Sequence, residues 1–338
     1  MRSLLLSAVV LAVSAGTALA QEVTLRVHHF MGERAVLHSQ MLTNWAAELT
    51  ERSDGRIAVE LFASMSLGGA PGDLYDQAVD GAVDIILTLP GYTAGRFNQV
   101  EVFELPFMME DPIATSKALW ALIEEDLQET EFEELQVLTA WVHGPGVIHS
   151  RTPITSLEEM AGVELRGPTR LITDLIGELG ATPVGMPLPA IPENLSKGAI
   201  SAATLPWEIT PAIRLSELVG HATEMGGDRA LYTAVFILGM NIDAYDGLPA
   251  DLRDILDSTT GETLSATAAH IMLAADGVGR DIAAGNGTQI VTLDVAEVAR
   301  WIDAAQPVYD RYIARSAGEG FDGAAMVARA RALIAASQ

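Results

Sequence analysis

Two hydrophobic periods alternate along this chain, and the alternation runs twice. Residues 23–27 read as a strand. Leu37, Met41, Trp45 and Leu49 then fall four apart, the spacing of one helix face. Gly55 follows where that helix must stop, as the residue just past its cap. Ile57, Val59 and Leu61 alternate with Arg56, Ala58 and Glu60, a strand with one wet face. After the loop Gly68-Gly69-Ala70-Pro71-Gly72, a helix is expected from about Asp73 and a buried strand over 83–87. Strand, helix, strand in this order builds a mostly parallel sheet flanked by helices. The order returns beyond the break His143-Gly144-Pro145-Gly146. Ser156 and Glu159 read as a capping box opening a short helix, and 163–166 as a strand. Leu171, Ile172, Leu175, Ile176 and Leu179 form a helical stripe closed by Gly180. The Pro-rich stretch 183–192 leads to another helix and a strand over 200–204. Residues 230–240 read as a long apolar strand, and 249–284 as mostly helical. The tail from Val295 is helical, with a kink expected at Pro307.

Composition narrows the function classes. The 338 residues give room for two lobes, each with its own core. Hydrophobic residues at 49% exclude a disordered chain. Acidic residues number 45 against 20 basic, a net charge of −25, which repels nucleic acid and anionic lipid alike. A small anionic ligand stays open, because one buried arginine can override a diffuse field. With no cysteine, disulfides and thiolate catalysis are excluded. Arg2, the apolar run through Val13 and the close Ala18-Leu19-Ala20 read as a signal peptide over 1–20, cleaved after Ala20. The mature chain is then expected outside the cytoplasm, in the periplasm, without direct membrane insertion.

Catalytic spacing is missing. There is no G-x-S-x-G, Walker loop, H-E-x-x-H or G-x-G-x-x-G. Of seven histidines only His28 and His29 adjoin, and strand neighbours point to opposite faces, so a shared metal is not expected. No catalytic residue, cofactor or metal is therefore predicted. Two features do point to a site. Gly81-Ala82-Val83 leads through a strand to Thr88-Leu89-Pro90, and Gly198-Ala199-Ile200 leads likewise to Thr204-Leu205-Pro206. In open α/β sheets ligands sit beyond the carboxyl ends of strands, so two such loops could face one cleft. Arg166 ends the apolar strand just before the Gly167-Pro168 turn. Its planar fork there matches a ligand carboxylate, or else pairs with a neighbouring acid.

Several stretches together resemble the extracytoplasmic solute-binding subunit of tripartite ATP-independent periplasmic (TRAP) transporters, the DctP family. They are the helix from Trp45 ending in T-x-x-S-D-G-R, Leu67-Gly68-Gly69, Val79-Asp80-Gly81-Ala82-Val83-Asp84-Ile85, Leu105-Pro106-Phe107, the run from Ser156-Leu157 to Leu165-Arg166, Gly180-Ala181-Thr182-Pro183-Val184 and Met240-Asn241. The resemblance implies a two-lobe, periplasmic-binding-protein-like α/β fold, its lobes joined by crossing strands and a long helix. Lobe 1 is expected over 21–143 with about 230–270, lobe 2 over 144–229 with about 285–315, and a C-terminal helix over 316–338. It implies capture of a small organic monocarboxylate by lobe closure and delivery to TRAP membrane permease subunits. Aromatic and 2-oxo acids are the candidate ligands.

The same resemblance puts Arg166 on the ligand carboxylate and offers Asn241 as a polar contact. Trp207, directly after Pro206, is expected as an aromatic wall. Tyr92 in the matching loop offers its hydroxyl, and His28 or His29 a further donor. Two departures stand out. Ser201-Ala202-Ala203-Thr204 replaces the family's D-G-x-E, and Gly144-Pro145-Gly146 stands where sialic-acid-binding relatives carry an arginine, which argues against a polyhydroxylated sugar acid. The alternatives are a secreted carboxylate-using hydrolase or lyase and a binding protein of an ATP-driven importer.

Overall fold

The computed structural model describes residues 21–338, so the expected leader at 1–20 lies outside the described residues. Eleven strands form two sheets in the described chain. The first sheet contains β1 (Val23–His29), β2 (Ile57–Phe62), β3 (Ile85–Thr88) and β4 (Leu135–Val142). The second holds β5 (Val147–Ser150), β6 (Glu164–Gly167), β7 (Thr182–Gly185), β8 (Ala202–Leu205) and β9 (His221–Met225). The chain then returns to the first sheet with β10 (Val235–Asn241) and ends in the second with β11 (Gln289–Leu293). The orders are β2-β1-β3-β10-β4 and β11-β9-β5-β8-β6-β7.

Each sheet is mixed, and the antiparallel strands are the ones that cross. β1 pairs in parallel with β2 and β3, while β10 runs antiparallel to β3 and β4. β5 lies antiparallel to β8 and β9, while β6 pairs in parallel with β7 and β8. Each crossing strand enters from the other lobe, so it runs against its host sheet's parallel strands. Residues 143–146 carry the chain across from β4, and residues 226–234 carry it back. The latter explains a correction: the strand expected over 230–240 begins only at Val235, because the preceding residues bridge the sheets. Gly146 N–H donates to Tyr232 O at 3.0 Å within that double crossing. A Cβ on Gly146 would run into the Tyr232 ring, so the crossing calls for glycine there, and one on Gly144 would displace the Asp276 carboxylate.

Helices cover the sheets: α1 (Thr43–Arg52), α2 (Leu74–Val79), α3 (Pro112–Leu122), α4 (Arg170–Glu178), α5 (Ile191–Lys197), α6 (Ile242–Asp246) and α7 (Ala250–Ser258). The expected stripe on α1 is real, since Trp45 and Leu49 are buried against the first sheet's core. Its first turn, Leu37–Leu42, is wound as a π-helix. Ser156 does not cap with its side chain; the Glu159 carboxylate instead accepts from the N–H (2.5 Å) and hydroxyl (2.9 Å) of Thr155, one residue earlier. α8 (Gly261–Gly285) has 25 residues, about 37 Å of helix at 1.5 Å per residue. It spans both lobes: Ser265 Oγ donates to Ala140 O of β4 at 2.6 Å, and Asp276 Oδ1 accepts from Glu208 N–H, just beyond β8, at 2.8 Å. α9 (Val295–Ser316) contains Pro307, and α10 (Gly323–Ala336) closes the chain.

Side chains beyond the crossings also tie the lobes. Arg170, at the start of α4, donates to Glu101 at 2.9 Å and Asn98 at 2.6 Å, and Arg315 of α9 reaches the same Glu101 carboxylate at 2.5 Å. Glu101 is 3% exposed, so this carboxylate is neutralised by two guanidiniums away from water.

Candidate binding site

The carboxyl ends of four parallel strands converge on one cavity. β1 delivers Phe30 and Met31, β3 delivers Leu89 and Tyr92, β6 delivers Arg166 and Pro168, and β8 delivers Leu205, Pro206, Glu208 and Ile209. Leu188 beyond β7 and the crossing residues His143, Tyr232, Ala234 and Phe236 complete the wall. The cavity between them is small, about 40 Å³, and lined mainly by apolar and aromatic side chains. Both Thr-Leu-Pro loops reach it: Leu89 directly follows β3, and Leu205 is the last residue of β8.

Arg166 is the cation of this cavity. It is 2% exposed, its Nε donates to Met186 O at 2.8 Å, and its Nη1 donates to Thr204 O at 3.0 Å. Both acceptors are neutral carbonyls. Among the described residues no carboxylate pairs with it, and the groups coupled to it are the hydroxyls of Tyr92 and Tyr232. Burial pulls the Arg166 pKa down, with the two tyrosines opposing. An arginine stays protonated in such surroundings. A desolvated guanidinium held by two carbonyls keeps N–H groups for a planar anion.

Tyr92 bridges the two lobes. Its hydroxyl accepts from Leu188 N–H at 3.1 Å, and its ring meets Phe30 edge-on with centroids 5.2 Å apart. His143 Nδ1–H donates to Gly144 O at 2.5 Å, and burial pushes its pKa down to about 4, so the ring is neutral at pH 7. Glu208 is 5% exposed, and its Oε2 has no partner among the described residues. Burial, with Asp276 beside it, pushes its carboxyl well above the usual range.

Of the residues expected from sequence, Arg166, Tyr92 and Pro206 meet here. Four do not. Trp207 turns away from this cavity into a groove with Glu224 and Arg280. Its Nε1–H donates to Glu224 at 2.8 Å, and its ring stands edge-on to His149 at 4.7 Å. His28 is fully buried, with Nδ1 at 2.7 Å from Gln77 Oε1. His29 packs on His38, Nε2 to Nδ1 at 2.9 Å. Asn241 caps α6: its Oδ1 accepts from Ala244 N–H and its Nδ2 donates to Ala78 O, both at 2.8 Å. The residues missed from sequence are chiefly Phe30, Tyr232, Phe236 and Glu208. Phe30 and Glu208 each directly follow an expected residue, which was the available signal.

Comparisons with known proteins assign the chain to a family. Residues 27–316 match the family described as bacterial extracellular solute-binding protein, family 7, DctP. A TRAP solute-binding protein from Rhodoferax ferrireducens, solved with copurified benzoate, is 44% identical with a TM-score of 0.90, covering 93% of this chain and 98% of that one. A marine metagenome TRAP solute-binding protein specific for aromatic acid ligands, solved with metahydroxyphenylacetate, is 36% identical with a TM-score of 0.92, covering 94% of this chain and all of that one. A solute-binding protein of Albidiferax ferrireducens is 26% identical over 297 residues, 86% of each chain. The chain belongs to the DctP family of TRAP transporter solute-binding proteins.

Proposed function

We propose that this protein captures a small aromatic monocarboxylate in the periplasm and hands it to a TRAP membrane permease without changing any bond. One observation carries the reading: Arg166 is buried in an apolar, aromatic-lined cavity with two carbonyl acceptors and, among the described residues, no acid paired with it. A ligand carboxylate supplies the missing countercharge, and the rings of Phe30, Tyr92 and Phe236 suit a flat apolar body. Relatives solved with benzoate and with metahydroxyphenylacetate support the aromatic class. Neutral His143 adds no second positive charge, so one carboxylate is matched rather than two.

Closure follows from the construction. The ligand touches walls from both lobes, and Tyr92 joins them through Leu188. Excluding water strengthens the guanidinium–carboxylate pair. The experiment is mass spectrometry of small molecules released from the denatured protein, followed by calorimetry. An aromatic monocarboxylate is expected, binding one per chain. Release of only sugar acids or dicarboxylates, with no heat on adding benzoate, would overturn the reading.

A further inference from the structure

Resting on the aromatic-acid reading above, the Glu208 carboxyl is the one polar group of the cavity wall left without a role. Its backbone N–H is spent on Asp276 Oδ1 at 2.8 Å, but its Oε2 is buried and unpartnered among the described residues. Buried polar atoms in native folds are nearly always bonded, so an exception inside a binding cavity points to a group that arrives with the ligand. Glu208 does not serve the carboxylate end. Arg166 donates to Met186 O and Thr204 O and not to the Glu208 carboxyl, whose own backbone N–H is held by Asp276. The two ionisable side chains are therefore free to serve different groups of the ligand. A second carboxylate against Glu208 would meet an acid, with the Asp276 carboxyl bonded to the same residue's N–H. An uncharged carboxyl offers one O–H donor and free acceptor lone pairs, and a hydroxyl offers the same pair of functions.

We infer that Glu208 recognises a hydroxyl group on the ligand ring, remote from the carboxylate, so that hydroxylated aromatic acids are preferred over unsubstituted ones.

Calorimetry tests this with benzoate, 3- and 4-hydroxybenzoate, 3- and 4-methylbenzoate and 4-(aminomethyl)benzoate. The better hydroxy isomer is expected to bind the native protein about 3- to 10-fold more tightly than its methyl counterpart, the range of one net hydrogen bond. In Glu208→Met the ratio should fall to one or invert, while Glu208→Gln, which keeps a donor and an acceptor, should retain part of it. Thermal melts of both variants establish that they fold. A native ratio near one, or a ratio unchanged in Glu208→Met, overturns the inference. So does tightest binding of the aminomethyl compound, which would require an ionised Glu208. If benzoate binds and loses affinity in Arg166→Ala while the hydroxyl ratio stays flat, the inference falls alone. If none of these acids binds, the aromatic-acid reading falls with it.

Discussion

Replacing Arg166 with alanine separates the proposed anchor from every other role that residue could have. The guanidinium spends two N–H groups on Met186 O and Thr204 O. Those bonds offset part of the cost of burying a charge. Removing the side chain loses them but also removes the buried cation, so the free protein should melt close to the native one. The complex behaves differently. Losing the cation leaves a desolvated carboxylate facing carbonyl oxygens, a loss of about 2–5 kcal/mol. The lower bound is a roughly 30-fold rise in Kd. At a benzoate concentration of about 100 times the native Kd, ligand stabilises the native protein by about 2.7 kcal/mol. With Kd raised about 30-fold, the same concentration gives only about 0.9 kcal/mol. For a chain of this size, an unfolding entropy of about 2.1 cal/mol/K per residue converts these to Tm shifts of about 4 °C and about 1 °C. Thermal shift across a benzoate titration reads both numbers, and calorimetry gives Kd directly. Arg166→Lys keeps the charge but not the fork, and should fall between. Affinity of Arg166→Ala within threefold of native would refute the anchoring role.

Tyr92→Phe removes the hydroxyl that accepts from Leu188 N–H, and the closed complex should weaken by about 1 kcal/mol, roughly fivefold in Kd, with little change in the free protein's Tm; calorimetry showing native affinity would count against the bridge. Trp207→Phe should do the reverse, because the indole bonds Glu224 outside the cavity. It should lower Tm while leaving ligand affinity within about twofold, and a large affinity loss with native Tm would restore the wall once expected of it. Stability should fall as pH rises above neutrality. Burial pushes Glu104 up to about 8 and Asp276 up to about 7, so each carboxyl stabilises the fold fully below its unfolded value and loses that contribution as pH rises through its folded value. The buried His143 and His149, both pushed down to about 4, act oppositely: their contribution is present above pH 6.5 and is lost as pH falls. Between pH 6.5 and 8.5 the carboxyls dominate, costing about 2–3 kcal/mol together. Melts at constant ionic strength should show it, and a Tm that rises over that interval would contradict it.

What could be read from the sequence was local, and what could not was direction. Arg166 was legible because an apolar strand followed by Gly167-Pro168 must deliver its last side chain to the sheet edge. The paired Thr-Leu-Pro loops were legible for the same reason. Asn241 misled because it too ends a strand. β10 runs antiparallel to β3, so its carboxyl end lies at the opposite edge from the cavity, and its beginning, at Ala234 and Phe236, is what lines the site. No local pattern states a strand's direction. Trp207 and Glu208 share one 3₁₀ turn, where adjacent side chains diverge; the Glu224 that draws the indole away stands 17 residues on, in a different strand. His28 and His29 stop one residue short, since the chain must leave β1 before a side chain reaches the cleft, and that residue is Phe30.

An acidic protein that binds an anion needs its attraction to be short-ranged. The net charge of −25 is spread over the surface, where salt screens it beyond about 10 Å at 0.1 M. Arg166 acts inside that distance and in a medium of low polarity, where a single cation outweighs many distant anions. The same arrangement couples capture to shape. Arg166 is 2% exposed with two carbonyls on its N–H groups, and a ligand carboxylate would supply the countercharge that makes the burial favourable. The proposed ligand is then the missing counterion of the closed state. Selection for a planar acid and selection for closure become one event, with no separate latch required to report that the site is filled.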